Sequence, residues 1–153
     1  MEVKIRKATV ADMEAVYGLV CELAAYEKEP EAVTVDVGAY VEAFSQKLID
    51  VTVADANGEI VGIALYYLTF STWKGKCLFL EDFYVKPALR QAGIGKMLFD
   101  AYLEEAKKLG ALQAKWQVLD WNQPALLFYA KYDAVIEKNW WNGKIYFNTK
   151  DTQ

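Results

Sequence analysis

The sequence predicts an α+β protein in which a central, twisted, mixed sheet of six to seven strands is flanked by about four helices. Three observations support this class. Apolar residues alternate with polar ones in some segments, recur every three to four residues in others, and turn residues separate the two kinds. The chain has 153 residues, of which 54% are hydrophobic, and we expect a single packed domain over residues 1–153.

The first third of the chain predicts a strand followed by two helices. Residues 3–8 alternate apolar with charged side chains, which suits a half-buried strand. Thr9 and Asp12 have the spacing of a capping box, and apolar residues at helical spacing extend the next helix to about Tyr26. A charged loop with a proline follows, and a shorter helix with one apolar face is predicted over 36–47.

Three successive apolar runs predict an antiparallel meander in the middle of the chain. Asn57-Gly58 separates the first two runs, and this dipeptide is the strongest short-range signal for a hairpin. Residues 73–76 form the second turn. The three strands are predicted over 51–54, 60–70 and 77–85.

The last third of the chain begins with the longest amphipathic helix, residues 93–109, which Gly110 ends. Because strand 114–119 follows, this helix is predicted to be the crossover between parallel neighbours. Asn122 caps another helix, whose first turn tolerates a proline. A final hairpin is predicted with strands over 134–137 and 144–148, turning at 142–143.

The absence of histidine narrows the chemistry that the chain can perform. No serine or cysteine nucleophile can use a histidine base, and the commonest nitrogen ligand of metals is missing. Cys21 and Cys77 are far apart in sequence and make no zinc site, so we predict no metal. Acid–base chemistry must come from Glu, Asp, Tyr, Lys or Cys side chains, or from the substrate.

The net charge and the pattern of apolar residues indicate which kinds of partner the chain can bind. A net charge of −4 disfavours binding to nucleic acid and suits a cationic substrate. The sequence shows no N-terminal signal segment and no apolar run near the ~20 residues that span a bilayer, so we expect no membrane partner. Both cysteines lie in apolar patterns, which is typical of a reduced, cytoplasmic setting.

Glu81 and Asp82 interrupt the apolar strand 77–85. Two carboxylates in such a run are costly to bury without partners. Burial raises the pKa of a carboxyl group, so we expect Glu81 to be a general base that acts through water, with a structural salt bridge as the alternative. In a regular pleat Asp82 points to the opposite face, where a supporting role and a structural partner are equally open.

A loop with two glycines leads from this strand into helix 93–109. Gly93 and Gly95 allow backbone amides to approach a ligand, and the helix start adds unpaired donors and the positive end of a dipole. Arg90 adds a charge, with an ordinary surface arginine as the alternative. Lys96 is unfavourable in a first helical turn unless an anion is present. The loop is therefore predicted to bind a phosphate-containing ligand.

Arg90-x-x-Gly93-x-Gly95 at a strand–loop–helix junction resembles the acetyl-coenzyme A diphosphate loop of the GNAT N-acetyltransferase superfamily. The predicted order of elements is similar to the GNAT fold along essentially the whole chain. Other segments resemble the spermidine/spermine (diamine) N-acetyltransferases, a branch that includes enzymes acetylating thialysine. These segments are 22–27, 61–67, 73–76, 80–85, 121–124 and 128–129.

The chain departs from that branch at three places. Gln91 replaces the first glycine of the loop, and Ser71-Thr72 stand where polyamine enzymes tend to carry an aspartate. Residues 139–142 lack the acidic side chains that the branch carries in its last hairpin. Fewer carboxylates favour an acceptor that is shorter than a long polycation, or differently shaped.

The resemblance implies an enzyme that uses acetyl-coenzyme A to acetylate a primary amine of a small cationic molecule, by direct attack of the amine on the thioester. The acceptor would be a polyamine, a diamine or a thialysine-like amino acid, and the enzyme a homodimer. Acetylation of a protein lysine or N terminus, and a non-catalytic module that binds acetyl-coenzyme A, are the alternatives.

The resemblance also implies the site residues. Tyr129 is the candidate general acid near the coenzyme A sulfur, with a core aromatic residue as the alternative, and for Glu27 the alternative is a solvated loop charge. The acceptor would contact Tyr26, Glu27, Glu81, Asp82 and Trp73. Coenzyme A would contact the backbone of Phe83, Tyr84 and Val85, the diphosphate loop of Arg90, Gln91, Ala92, Gly93, Ile94, Gly95 and Lys96, and the pantetheine-side residues Asn122 and Ala125.

Overall fold

The computed structural model describes residues 2–90 and 92–147, and within them it contains five strands and four α-helices. The chain divides into two compact units, residues 1–117 and 118–153. The prediction of a single domain stays a prediction. In chain order the elements are β1 Val3–Lys7, α1 Met13–Tyr26, α2 Val37–Ser45, β2 Asp50–Ala56, β3 Glu59–Ser71, β4 Gly75–Val85, α3 Ile94–Lys108, β5 Gln113–Trp116 and α4 Gln123–Ala130.

The five strands of the first unit form one sheet in the order β1-β2-β3-β4-β5. Neighbours from β1 to β4 are antiparallel, whereas β5 lies parallel to β4. The mixed sheet, the meander and the crossover by α3 are therefore confirmed. Asn57 and Gly58 both have positive φ, as a tight hairpin turn requires.

Helices cover both faces of this sheet. Successive side chains of β2 point to opposite faces, so this one strand contributes to an apolar cluster on each face. Val51 and Val53 are buried in a cluster with residues of α1, and the apolar face of α2 packs against the same cluster. Ala54 and Ala56 belong to a second cluster with residues of α3. Each fully buried Val or Leu side chain contributes about 1.5–3 kcal/mol to the free energy of unfolding.

Gly62 of β3 allows α3 to lie close to the sheet. A Cβ atom at this position would be 2.9 Å from Cδ1 of Leu98 and 3.3 Å from the carbonyl oxygen of Tyr84. Leu98 is fully buried, so a larger residue at 62 would push the helix away. The absence of a side chain at Gly62 thus determines how close the start of α3 lies to the sheet.

The predicted C-terminal hairpin is wrong. The structure has no regular strand over residues 134–147, and Asn148 lies outside the described residues, so the described strand count is five instead of six to seven. Val135 and Ile145, which lie in the two predicted strands, are 84% and 81% exposed. A two-stranded hairpin is marginal without a third strand or a core to cover its apolar face.

Candidate active site

A β-bulge in β4 lies at the two carboxylates of this strand, those of Glu81 and Asp82. Leu65 of β3 pairs with Asp82, and the next residue, Tyr66, pairs with Leu80, so Glu81 is an extra residue in β4. The pleat is therefore not regular here, and the condition for an opposite orientation of Glu81 and Asp82 is not met. Both carboxylates act electrostatically on the same two hydroxyl groups, those of Tyr40 and Tyr67.

Asp82, and not Glu81, is the carboxylate that the fold desolvates. Asp82 is half-buried, whereas Glu81 is exposed, which corrects the expectation that Glu81 sits in an apolar environment. Burial, followed by the charges of Glu81 and Glu27, raises the pKa of Asp82 to about 7. A group with such a pKa exchanges protons near neutral pH, as a general base must.

Three carboxylates of the first unit thus lie close enough to affect one another. Glu27 is half-buried and burial raises the pKa of its carboxyl group. It follows the last residue of α1, where the negative end of the helix dipole also favours a cation. Among the described residues, no ion pair includes Glu27, Glu81 or Asp82. The cluster is therefore suited to a cationic ligand.

Two tyrosines contribute to this cluster, and the sequence did not single them out. The hydroxyl of Tyr67 donates a hydrogen bond to Glu81, with an oxygen–oxygen distance of 2.5 Å. Tyr40 packs edge-on against Tyr17, and burial together with the charges of Asp82 and Glu81 raises the pKa of its hydroxyl. The hairpin register could have identified Tyr67, but α2 offers no pattern that separates Tyr40 from a core residue.

The two glycines leave open space at the start of α3. Gly93 is the N-cap of α3 with φ +83°, and it has no side chain that could cap the first amides of the helix. A Cβ atom at Gly93 would meet nothing within 4 Å, and one at Gly95 would meet only the Phe83 ring, at 3.8 Å. Ala92 is exposed, whereas Ile94 is buried and anchors the helix start, and Gln91 lies outside the described residues.

Lys96 does not require an anion to explain it. Its Nζ lies 2.7 Å from a carboxylate oxygen of Asp100, one turn further along α3. This i,i+4 ion pair offsets the unfavourable position of a lysine near the helix start. The open space above the two glycines is the stronger argument for a phosphate ligand.

Phe83, Tyr84 and Val85 continue β4 past the end of its ladder with β5. The described β4–β5 pairs run from Cys77–Gln113 to Leu80–Trp116 and stop there. On the other side these residues pair with β3. The addition of an extended ligand to this part of β4 as a further strand stays a prediction.

Arg90 is held between two aromatic rings. Its guanidinium carbon lies 5.3 Å from the centroid of the Tyr26 ring and 5.2 Å from that of Tyr84. Its Nε donates a hydrogen bond of 2.9 Å to the carbonyl oxygen of Val85. Arg90 is exposed, but these contacts fix it at the entrance of the glycine loop.

Trp73 stands apart from the carboxylates of its own chain. It lies in the turn between β3 and β4 and is 81% exposed. Six residue steps of β4, about 20 Å, separate the start of that strand at Gly75 from Glu81. Within one chain, the structure does not bring Trp73 together with the other predicted acceptor residues.

The second unit carries the remaining predicted residues on α4. Oδ1 of Asn122 accepts a hydrogen bond of 3.3 Å from the amide of Ala125, which confirms the predicted cap. Tyr129, about two turns after Asn122, is buried, and its ring contacts that of Phe128 with centroids 5.5 Å apart. The acid role of Tyr129 stays a prediction.

A comparison with known families decides the identity of the fold. A sequence profile of the Acetyltransferase (GNAT) family matches residues 15–133. The chain belongs to this family. It is accordingly an enzyme of the acyltransferase class, and the predicted superfamily is confirmed.

Relatives at the sequence level agree with the predicted branch. The chain is 35% identical over 152 residues to thialysine N-epsilon-acetyltransferase of Bos taurus, covering 92% of this chain and 89% of that protein. It is 30% identical to spermidine/spermine N(1)-acetyltransferase-like protein 1 of Homo sapiens, covering 90% of this chain and 21% of the longer protein.

The fold is found in solved structures. An aminoglycoside acetyltransferase, meta-AAC0020, from an uncultured soil metagenomic sample has a TM-score of 0.77 and 21% identity, covering 97% of both chains. At this identity the likeness shows the fold alone. In residues 2–90 and 92–147, no helix is long and apolar enough to cross a membrane, and no three acidic or thiol groups are arranged to hold a metal.

Proposed function

We propose that the chain transfers the acetyl group of acetyl-coenzyme A to the primary amine of a small cationic molecule, namely a polyamine, a diamine or a thialysine-like amino acid. The observation that carries this proposal is the layout of β4. Its bulge presents Glu81 and Asp82 next to Glu27, and the same strand leads through Arg90 into the glycine loop. One strand thus links a cation site to an anion site.

The anion site supports the use of acetyl-coenzyme A, which supplies the reactive thioester when bound. The amides at the start of α3, from Gly93 to Lys96, would bind the diphosphate, where the helix dipole favours negative charge. The backbone of 83–85, beyond the β5 ladder, would hold the pantetheine arm as an added strand. Asn122 and Ala125 of the second unit are proposed to contact coenzyme A, as the family resemblance implies.

The carboxylate cluster supports proton removal from the acceptor. An alkyl ammonium has a pKa near ~10.4 and must lose a proton before it can attack a carbonyl carbon. We propose that Glu81, oriented by Tyr67, removes this proton through water, and that Asp82 passes it on, since the pKa of Asp82 is raised to about 7. Tyr129 is proposed to donate a proton to the departing sulfur.

The acceptor is proposed to bind through the charge of Glu27 and the ring of Tyr26, at the end of α1. Two or three carboxylates at short spacing suit one or two ammonium groups better than a long polycation. The thialysine and spermidine/spermine names of the relatives are consistent with acceptors of this kind. Trp73 would reach an acceptor only if a second chain contributed it.

The proposal includes a homodimer and a cytoplasmic location. In the first unit, Phe70 of the β3–β4 hairpin is 75% exposed, and in the second unit Trp141 is 93% exposed. A second copy of the chain would cover such apolar side chains. Cys21 and Cys77 are both free thiols, as is typical of a reducing compartment.

Release of free thiol from acetyl-coenzyme A across a panel of acceptors tests the proposal. The panel holds thialysine, a diamine, spermidine and a lysine-containing peptide. We expect release with at least one of the small amines and little with the peptide. Release with the peptide alone would favour protein acetylation, and binding of acetyl-coenzyme A without any release would favour a non-catalytic module.

A further inference from the structure

The two aromatic rings that hold Arg90 come from different parts of the fold. Tyr84 belongs to β4, whereas Tyr26 is the last residue of α1. Each ring centroid lies within 5.3 Å of the guanidinium carbon, so the planar cation has an aromatic ring near it from each element. Arg90 thereby joins the end of α1 to the entrance of the glycine loop.

Both ends of this contact are anchored. The hydroxyl of Tyr84 donates a hydrogen bond of 3.2 Å to Glu22, one turn before Tyr26 on α1, and Glu22 also lies 3.6 Å from Nζ of Lys86. Nε of Arg90 is fixed by the carbonyl of Val85 at 2.9 Å. Because a guanidinium has five N–H donors, the bond from Nε leaves the terminal nitrogens with donors of their own.

We propose that Arg90 is a positioning residue that couples the two substrate sites. Held by Tyr26 and Tyr84, it fixes the loop that binds the diphosphate and at the same time holds Tyr26 in the acceptor wall. This inference rests on the proposed function. Because Arg90 contacts both rings, we expect that loosening the Tyr26 side weakens binding at the diphosphate side, although Tyr26 is not part of the loop.

A lysine cannot replace the arginine in this arrangement. Its ammonium is a compact charge without the planar surface that a guanidinium presents to aromatic rings, and it has no counterpart of the Nε that donates to the carbonyl of Val85. Leucine at 26 removes the ring, whereas phenylalanine keeps it. Arg90→Lys, Tyr26→Leu and Tyr26→Phe therefore separate the effect of the ring contact from the effects of side-chain size and of charge.

The test is a double-mutant cycle on the Kd of coenzyme A, measured by calorimetry with no amine present. We expect Tyr26→Leu to raise this Kd about fivefold, the lower end of typical coupling between sites. Tyr26→Phe should keep the wild-type Kd. In an Arg90→Lys background, which weakens binding by itself, Tyr26→Leu should add nothing further.

Tyr17→Leu is the matched control, because Tyr17 lies on the same helix but bonds to the carbonyl of Val35 and packs against Tyr40. Its coenzyme A affinity should equal that of the wild type. The proposal is overturned if Tyr26→Leu leaves the Kd unchanged, or if the Tyr26 and Arg90 effects simply add. If wild-type protein fails to bind coenzyme A, the proposed function falls as well, and the two failures are thus distinguishable.

Discussion

The hydroxyl of Tyr67 donates a hydrogen bond of 2.5 Å to Oε1 of Glu81, at the point where β4 carries one residue more than β3. Burial and this hydrogen bond raise the pKa of the Tyr67 hydroxyl, so it stays a donor through the physiological pH range. The bulge frees Glu81 from the ladder, and Tyr67 then fixes its orientation beside Asp82.

Tyr67→Phe should lower kcat about tenfold and leave the KM for acetyl-coenzyme A unchanged. The reason is that an exposed Glu81 without its donor loses the orientation that proton transfer requires. Steady-state kinetics measure both parameters. Tyr146→Phe, on an exposed tyrosine of the second unit, serves as the control. Unchanged turnover in Tyr67→Phe would remove this hydrogen bond from the mechanism.

The pH dependence of kcat/KM for the amine should report Asp82. Since burial raises the pKa of Asp82 to about 7, we expect activity to rise up to about pH 7 and then level off. Asp82→Asn should abolish this inflection. Glu81→Gln removes one of the charges that raise the pKa, so the inflection should move to lower pH. An identical profile in all three proteins would contradict the assignment.

Asp82 should also make the protein less stable as the pH rises. Its pKa is raised from the ordinary 3.8 to about 7, so between these values the folded state binds more protons than the unfolded state. Its contribution to stability is present at low pH and is lost as the pH rises through about 7. Because asparagine has no carboxyl group that titrates, Asp82→Asn should remove this loss of stability at higher pH.

Thermal unfolding at two pH values measures this effect. Asp82→Asn should raise Tm by about 5 to 10 °C more at pH 8 than at pH 5, since about two units of the pKa difference fall between these pH values. Asp120→Asn, on an exposed aspartate of the second unit, is the control and should show no such difference. An equal shift of Tm at both pH values would show that Asp82 is not buried as a charge.

Gly95→Ala should separate folding from ligand binding. Gly95 lies inside α3, where alanine favours the helix by about 1 kcal/mol, and its Cβ would meet only the Phe83 ring at 3.8 Å. The protein should therefore be as stable or more so, while its Kd for coenzyme A rises at least about tenfold, because the new methyl group occupies the space of the diphosphate.

Gly18→Ala is the matched control for this variant, since Gly18 lies in α1 and a Cβ there would meet nothing within 4 Å. It should gain similar stability and keep the wild-type affinity. Gly93→Ala differs, because φ at 93 is +83° and an alanine there costs about 1–2 kcal/mol. Wild-type affinity in Gly95→Ala would place the diphosphate elsewhere.

Much of this fold could be predicted because its signals are local. Thr9 and Asp12 form their capping box, Asn122 caps α4, and Gly110 has positive φ just after α3. Each of these depends on one or two residues and their neighbours along the chain. The crossover follows from element order, because a helix between two strands brings them side by side in parallel.

The rest depends on non-local structure. One extra residue in β4 cannot be read from a single strand, because a bulge exists only relative to its partner, and it removed the regular pleat on which the expected orientation of Asp82 depended. The raised pKa of Asp82 depends in part on the charge of Glu27, which comes from a distant part of the sequence. The predicted hairpin over 134–137 and 144–148 failed because a turn signal between two short segments does not supply the third strand or the core that a hairpin needs.

The central claim is that a carboxylate pair on β4 makes an amine reactive toward acetyl-coenzyme A. The most direct measurement is the rate of thiol release with thialysine and spermidine, comparing wild type with Glu81→Gln/Asp82→Asn at equal coenzyme A affinity. We predict release by the wild type and a loss of at least about a hundredfold in the double variant. Equal rates in the two proteins would contradict the account.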